Sequence, residues 1–304
     1  MGSVKKKGSS AVWDFLSWLV RDGRSVLLWA VTLAVLGGGW WLGWRRFGPQ
    51  ILESPDRQVG PDQVRITPLP DWIHRKRGDL QREVFRDPTL DGLQSLMDDR
   101  LVERIYQAFS RHPWVAKVTS VTKQYPALVR VSLVYRRPAC MVEVAEEPKV
   151  VWAVDSEGVL LPSEDFTSIE ATTRYPHLTG VERKPTVALG QRWSDVRVVG
   201  GAEIAAALEP LWDAMKLHRI APVASAPASG SAGTEPQFVL TTRAGTQIVW
   251  GYAPGANVLG EPTAAQKVAR LRQYLDAYDT FDSPKGQHQT LDVRRIGKAS
   301  GGAP

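Results

Sequence analysis

The chain has 304 residues, 43% hydrophobic and 23% charged, with a net charge of +6; it is long enough for two ordinary domains and too apolar to be disordered throughout. Its basic residues are spread among Asp and Glu and no RNA- or DNA-binding motif accompanies them, so the surplus reads as a solvated basic surface beside anionic lipid, not a nucleic-acid footprint. Cys140 is the only cysteine, which excludes an intramolecular disulfide and a multi-cysteine metal site; between Ala139 and Met141-Val142 it reads as a small core residue.

Ser25 to Trp44 carries no charge over twenty residues. As a helix this is about 30 Å, the thickness of a bilayer core, so a single N-terminal transmembrane helix is expected. Trp29 lies within it, Trp40, Trp41 and Trp44 gather at its far end, and Arg45 and Arg46 close it. Indoles followed by cations suit a membrane boundary and are the expected membrane anchor. The exit lacks the small residues of a signal-peptide cleavage site. The Gly37-Gly38-Gly39 run leaves helix pairing open. Lys5, Lys6, Lys7, Arg21 and Arg24 precede the segment, which predicts a cytoplasmic N-terminus and a translocated remainder. Trp13, Leu16, Leu19 and Val20 fit either a short interfacial helix or an extension of the span.

Gly48, Pro49, Pro55, Gly60 and Pro61 mark a linker. A strand is expected over Val64 to Leu69 and a charged helix over Asp71 to Phe85. Leu93, Met97, Leu101, Ile105 and Phe109 recur every four residues, predicting one amphipathic helix that ends near His112-Pro113. Asp98-Asp99 reads as dipole and capping chemistry at a helix start. Strands follow at Val115 to Tyr125 and Leu128 to Tyr135, the second with clean alternation, and Tyr125-Pro126 marks the turn. Beyond Arg136-Arg137-Pro138, short strands are expected at Ala139 to Val144 and Val150 to Val154, with a turn through Asp155 to Gly158. Ile204, Ala207, Leu208, Leu211, Trp212 and Met215 predict a helix. Pro222 to Pro236 reads as a surface loop, Phe238 to Thr242 and Gln247 to Trp250 as a hairpin. Val268, Leu271, Leu275 and Tyr278 predict a last helix, and Thr290 to Ile296 a final strand.

No chemistry-bearing constellation emerges. The five histidines are scattered, no metal-ligand spacing or phosphate-binding glycine loop is present, and no GxSxG occurs. The chain reads as a non-enzymatic protein with no cofactor, no metal and no small-molecule substrate.

The order of several short elements resembles the FtsQ/DivIB family of bacterial cell division proteins. They are His112-Pro113-Trp114-Val115, Tyr125-Pro126 and Tyr135-Arg136-Arg137-Pro138-Ala139, then Val154-Asp155 with Gly158-Val159. Tyr175-Pro176-His177-Leu178-Thr179-Gly180 follows, then Gly245 through Trp250-Gly251, Lys267 with Arg270-Leu271, and Leu291-Asp292-Val293-Arg294. The resemblance runs from about Val64 to Arg295. It implies an α+β chain: a single transmembrane helix, then a POTRA-like domain, then a mostly antiparallel β domain with flanking helices. The expected division is a cytoplasmic basic tail over 1–24, the span over 25–44, a linker over 45–61, the POTRA-like domain over 62–138, the β domain over 139–296 and a disordered tail over 297–304. It implies a single-pass protein of the bacterial inner membrane that binds FtsB-like and FtsL-like division proteins outside the cytoplasm. The final strand is the expected partner-binding element, through Leu291, Val293, Arg294, Arg295 and Ile296. Arginines there fit either an acidic partner or protection of an exposed edge. An adaptor for secretion or envelope assembly is the alternative. This chain departs from the family in having Leu69-Pro70-Asp71-Trp72 where a glycine is usual, and Arg295 where an aromatic residue is frequent.

Overall fold

The computed structural model describes residues 23–52, 55–74, 77–166, 173–223, 235–256, 258–281 and 289–295. The basic tail, the Trp13 to Val20 stripe, most of the Pro222 to Pro236 loop, Ile296 and the C-terminal tail lie wholly or largely outside these residues.

Helix α1 takes Gly23–Leu52, thirty residues without a break. The expected transmembrane helix is corrected here: among the described residues no helix is long and apolar enough to cross a membrane. The physical reason is that uncharged is not the same as apolar. Gly37, Gly38, Gly39 and Gly43 bring no hydrocarbon, the indoles of Trp40, Trp41 and Trp44 each carry an N–H, and the helix runs on through Arg45 and Arg46. The Arg45 guanidinium lies 5.1 Å from the Trp41 ring centre, a cation–π contact on the helix's own surface. Trp29, Trp40, Trp41 and Trp44 are all well exposed.

The expected linker is structured where it is described. Strand β1 (Gln58–Val59) pairs antiparallel with β3 (Gln94–Ser95), and Val59 is fully buried. Between them come β2 (Val64–Ile66) and α2 (Arg77–Val84). Helix α3 occupies only Leu101–Ser110. Leu93 and Met97, which continue its stripe in sequence, are exposed. The Asp98 carboxylate explains the late start. It accepts from the Arg100 N–H at 2.8 Å and also binds the Arg104 guanidinium, a local bond that competes with helix continuation. Strands β4 (Val115–Gln124) and β5 (Leu128–Tyr135) form a hairpin, and β2 adds parallel to β5, giving the order β2-β5-β4. Val129, Val131 and Leu133 alternate inward against Leu80, Val84, Leu101, Ile105 and Phe109, forming the core of this first module.

The second module is a seven-stranded sheet. Its strands are β6 (Pro138–Val144), β7 (Val151–Asp155), β8 (His177–Val181), β9 (Leu217–Pro222), β10 (Gln237–Thr242), β11 (Gln247–Tyr252) and β12 (Thr290–Asp292). The spatial order is β12-β11-β10-β9-β8-β6-β7. The expectation of a mostly antiparallel sheet is corrected: β6-β8, β8-β9 and β11-β12 are parallel, so the sheet is mixed. The cause is covalent. Helices α4 (Val196–Leu208) and α5 (Trp212–Met215) carry the chain from β8 to β9, and α6 (Ala264–Tyr278) carries it from β11 to β12. A helical crossover returns a strand in the direction it left, so the helices expected as flanking elements dictate two of the three parallel pairings, β8-β9 and β11-β12.

Helix α4 sits close to the sheet because Gly200 and Gly201 leave no side chain between them. A methyl group on Gly201 would lie 2.5 Å from Leu178 Cδ1. Gly201→Ala is expected to lower stability by about 1–3 kcal/mol through overpacking, read as an earlier urea midpoint with an unchanged slope. A midpoint at the parental value would show that α4 can lift off the sheet freely.

Candidate functional site

The seven-stranded sheet ends on one side at β12, and this end gathers the residues singled out near the C-terminus. Registration is Gln247 to Thr290, Ile248 to Leu291 and Val249 to Asp292. Gln247 N–H donates to Gln289 O at 2.9 Å and Val293 N–H to Val249 O at 3.3 Å. A parallel ladder uses alternate residues, so Thr290 and Asp292 turn their peptide groups away from β11, towards the open side. Only three residues make this strand.

The expected strand over Thr290 to Ile296 is therefore shortened. Asp292 Oδ1 accepts from the Arg294 N–H at 3.0 Å, pulling the chain into a turn. The same carboxylate grips the Arg294 guanidinium in a fork, with Nε at 3.0 Å and Nη2 at 2.9 Å. This hydrogen bonding holds the Asp292 carboxyl below its ordinary pKa and raises that of Arg294. Leu291 is half-buried against the core and Val293 is buried in it, so both side chains anchor the strand and neither is offered to a partner. The Arg270 guanidinium on α6 caps Val293 O. Arg294 reaches Gln237 Oε1 at 3.4 Å. Arg295 is the outward member, its side chain 85% exposed and Nε 3.6 Å from Asp292. Ile296 lies beyond the described residues.

A second constellation, not visible as a unit in the sequence, adjoins this turn. Gly251 has a φ of +88°, and a Cβ there would lie 2.6 Å from Arg294 Cδ and inside contact distance of Glu261 Oε1. Glu261 Oε1 accepts from Lys267 Nζ at 2.6 Å and from the Tyr252 N–H at 3.2 Å. Lys267 is buried; its ammonium also donates to Tyr252 O at 3.2 Å and lies 4.9 Å from the Trp250 ring centre. Burial pushes the Lys267 pKa down, and the bond to Glu261 opposes that. A cleft of about 310 Å³ opens beside the pair, lined by Trp250, Tyr252, Val258, Leu259, Glu261 and Lys267. Leu259 stands fully exposed at this cleft.

The sequence signals Trp250-Gly251, Lys267, Arg270 and Asp292 to Arg294 thus converge on one end of the sheet. Glu261 had no signal, because its six-residue offset from Lys267 crosses a loop and the N-terminus of α6. Among the described residues no group of three or more His, Cys, Asp or Glu is arranged to hold a metal ion.

The arrangement offers hydrogen-bonding backbone and a positive rim, beside the buried Lys267–Glu261 pair. The Asp292 linkage has a testable sign. A carboxyl whose folded pKa is depressed adds stability that is complete above the ordinary aspartate pKa and lost as pH falls through the lower folded value. Both partners are partly solvated, so the contribution is at most about 1 kcal/mol. Amide exchange at Leu291 and Val293, corrected for intrinsic rates, is expected to lose protection selectively on acidification through that window. Equal loss across β9 and β10 would refute the local origin.

No protein-family model matches the chain, and a search of curated proteins returned no match.

Proposed function

We propose that this chain is a non-enzymatic scaffold of the FtsQ/DivIB kind, which recruits FtsB-like and FtsL-like division proteins outside the cytoplasm and so helps to localise septal wall synthesis. The observation that carries the reading is the convergence just described. Residues that bear the family resemblance, separated by some forty positions between Trp250 and Arg294, meet at the free edge of one sheet. A partner segment can add to that edge as a further strand through the outward peptide groups of Thr290 and Asp292. Arg295 then favours an acidic neighbour by charge-assisted hydrogen bonds.

Two variants of the full chain test this. A photo-crosslinker at Arg295 in growing bacterial cells is expected to capture small FtsB-like or FtsL-like proteins. Thr290→Pro removes a peptide N–H on the outward side, where proline is compatible with an edge strand, and is expected to abolish capture while the melting curve stays intact. Capture of secretion components alone would replace this reading with the adaptor one. Undiminished capture by Thr290→Pro would rule out strand addition at β12.

A further inference from the structure

The segment Leu69 to Ile73, where the chain departs from the family it resembles, follows β2 in the first module yet lies against the second. The covalent link between the modules is Arg136-Arg137, joining β5 to β6. A single extended crossing of this kind behaves as a hinge unless a sizeable contact holds the two sides.

Here the contact is built around Trp72. Its indole Nε1 donates to Arg136 O at 3.0 Å, fixing the ring to the crossing strand itself. The Arg137 guanidinium stacks 5.3 Å from the Trp72 ring centre and pairs at 2.6 Å with Glu209, which follows α4. Ile73 is buried in a small apolar cluster separate from both main cores. That cluster joins Ile73 and Trp114 from the first module to Met141, Ala153 and Leu161 of the second, with Leu69, Trp72 and Tyr135 packed around it. Arg136 adds an ion pair at 2.7 Å to the buried Asp155, and Trp114 Nε1 donates to Asp165 at 2.7 Å.

We infer that Leu69 to Ile73 is a latch that fixes the angle between the two sheets, with Trp72 as its positioning residue. The crossing is held by Trp72 through the Arg136 carbonyl and by Asp155 through the Arg136 guanidinium. Its peptide dihedrals cannot change without breaking an indole hydrogen bond and opening an apolar cluster. The two modules then present their edges as one preformed surface.

Pulsed electron spin resonance on the full chain tests this, with nitroxides at Ser120→Cys in β4 and Asp276→Cys in α6, both exposed positions. Cys140 is buried and its thiol is pushed up to about 12, so it stays unlabelled. The parent is expected to give one narrow distance distribution. Trp72→Ala is expected to broaden it about twofold, the behaviour of modules joined by an ordinary interface, while circular dichroism stays unchanged. A residue that only contributes packing would lower the melting temperature and leave the width alone. That result overturns the inference. Should Trp72→Ala fail to fold, Trp72→Phe, which keeps the apolar face and deletes the N–H, decides it. Broadening supports the latch, and a parental width refutes it.

Discussion

Alanine at Gly251 is expected to destabilise the second module by about 3 kcal/mol. Roughly 1–2 kcal/mol comes from holding an L-residue at positive φ and about 1–3 kcal/mol from the overpacked contact. The backbone there has φ +88°, and the new methyl would meet Glu261 Oε1 and Arg294 Cδ. Either side chain could swing aside in isolation. Neither is free to do so, since Glu261 holds the Lys267 ammonium and Arg294 holds Asp292. The check is a chemical-denaturation series with Glu261→Ala in the same background. If Glu261 is what resists the methyl, the double variant loses markedly less than the sum of the singles. Strict additivity would show that Glu261 does not resist the methyl, leaving backbone strain and the Arg294 contact as the cause.

Glu261→Ala by itself is expected to cost about 3–5 kcal/mol, because it strands a buried ammonium without its carboxylate. Lys267 has a side chain only 2% exposed and Glu261 is its ion-pair partner at 2.6 Å. Adding Lys267→Met removes the stranded charge at similar volume and is expected to restore most of the loss. The pH dependence of the single variant gives an independent sign. Burial lowers the folded pKa of Lys267, and losing Glu261 lowers it further. Between the folded and unfolded values the unfolded chain binds the extra proton, so stability rises with pH across that window and levels off above the ordinary lysine pKa. A Glu261→Ala penalty that is small, or constant from neutral to alkaline pH, would mean that the ammonium finds water or another acceptor.

How much of this was readable beforehand depends on the kind of physics involved. Strands β5, β10 and β11 announce themselves because one face is buried, and burial writes itself as alternation, as in Val129, Val131 and Leu133. Helix α6 carries Leu271 inward and a Thr263–Gln266 capping box at its start. Alternation reveals which face is inside but not which strand lies alongside or in which direction, so the parallel pairings were not legible. Local side-chain competition is legible only in part: Asp98-Asp99 reads as capping at a helix start although the stripe from Leu93 points to an earlier one, and Asp292 gives no such signal. Asp98 delays α3 and Asp292 cuts β12 short, each by capturing an N–H two residues on. At α1 the error was to weigh missing charge as if it were hydrocarbon. For the candidate site, Lys267, Arg270 and Arg294 were found through resemblance, whereas Glu261 belongs to it only through the path of a loop.

The spatial order of the large sheet also bears on how the chain is made. From β6 through β8, β9, β10 and β11 to β12, each strand is added beside the one before it, with β7 alone turning to the far side. During synthesis the growing sheet therefore shows its newest strand to the surroundings at each step from β8 onward. A nascent chain halted before residue 289 leaves the six-residue β11 without its partner strand, with Gln247, Ile248 and Val249 unpaired on that side. That edge is longer and more apolar than the three-residue one that replaces it, and is the sort of surface that recruits other unfinished chains. Strand β12 thus acts as a seal on the sheet, and stop codons placed before residue 289 should yield aggregates or proteolysed fragments.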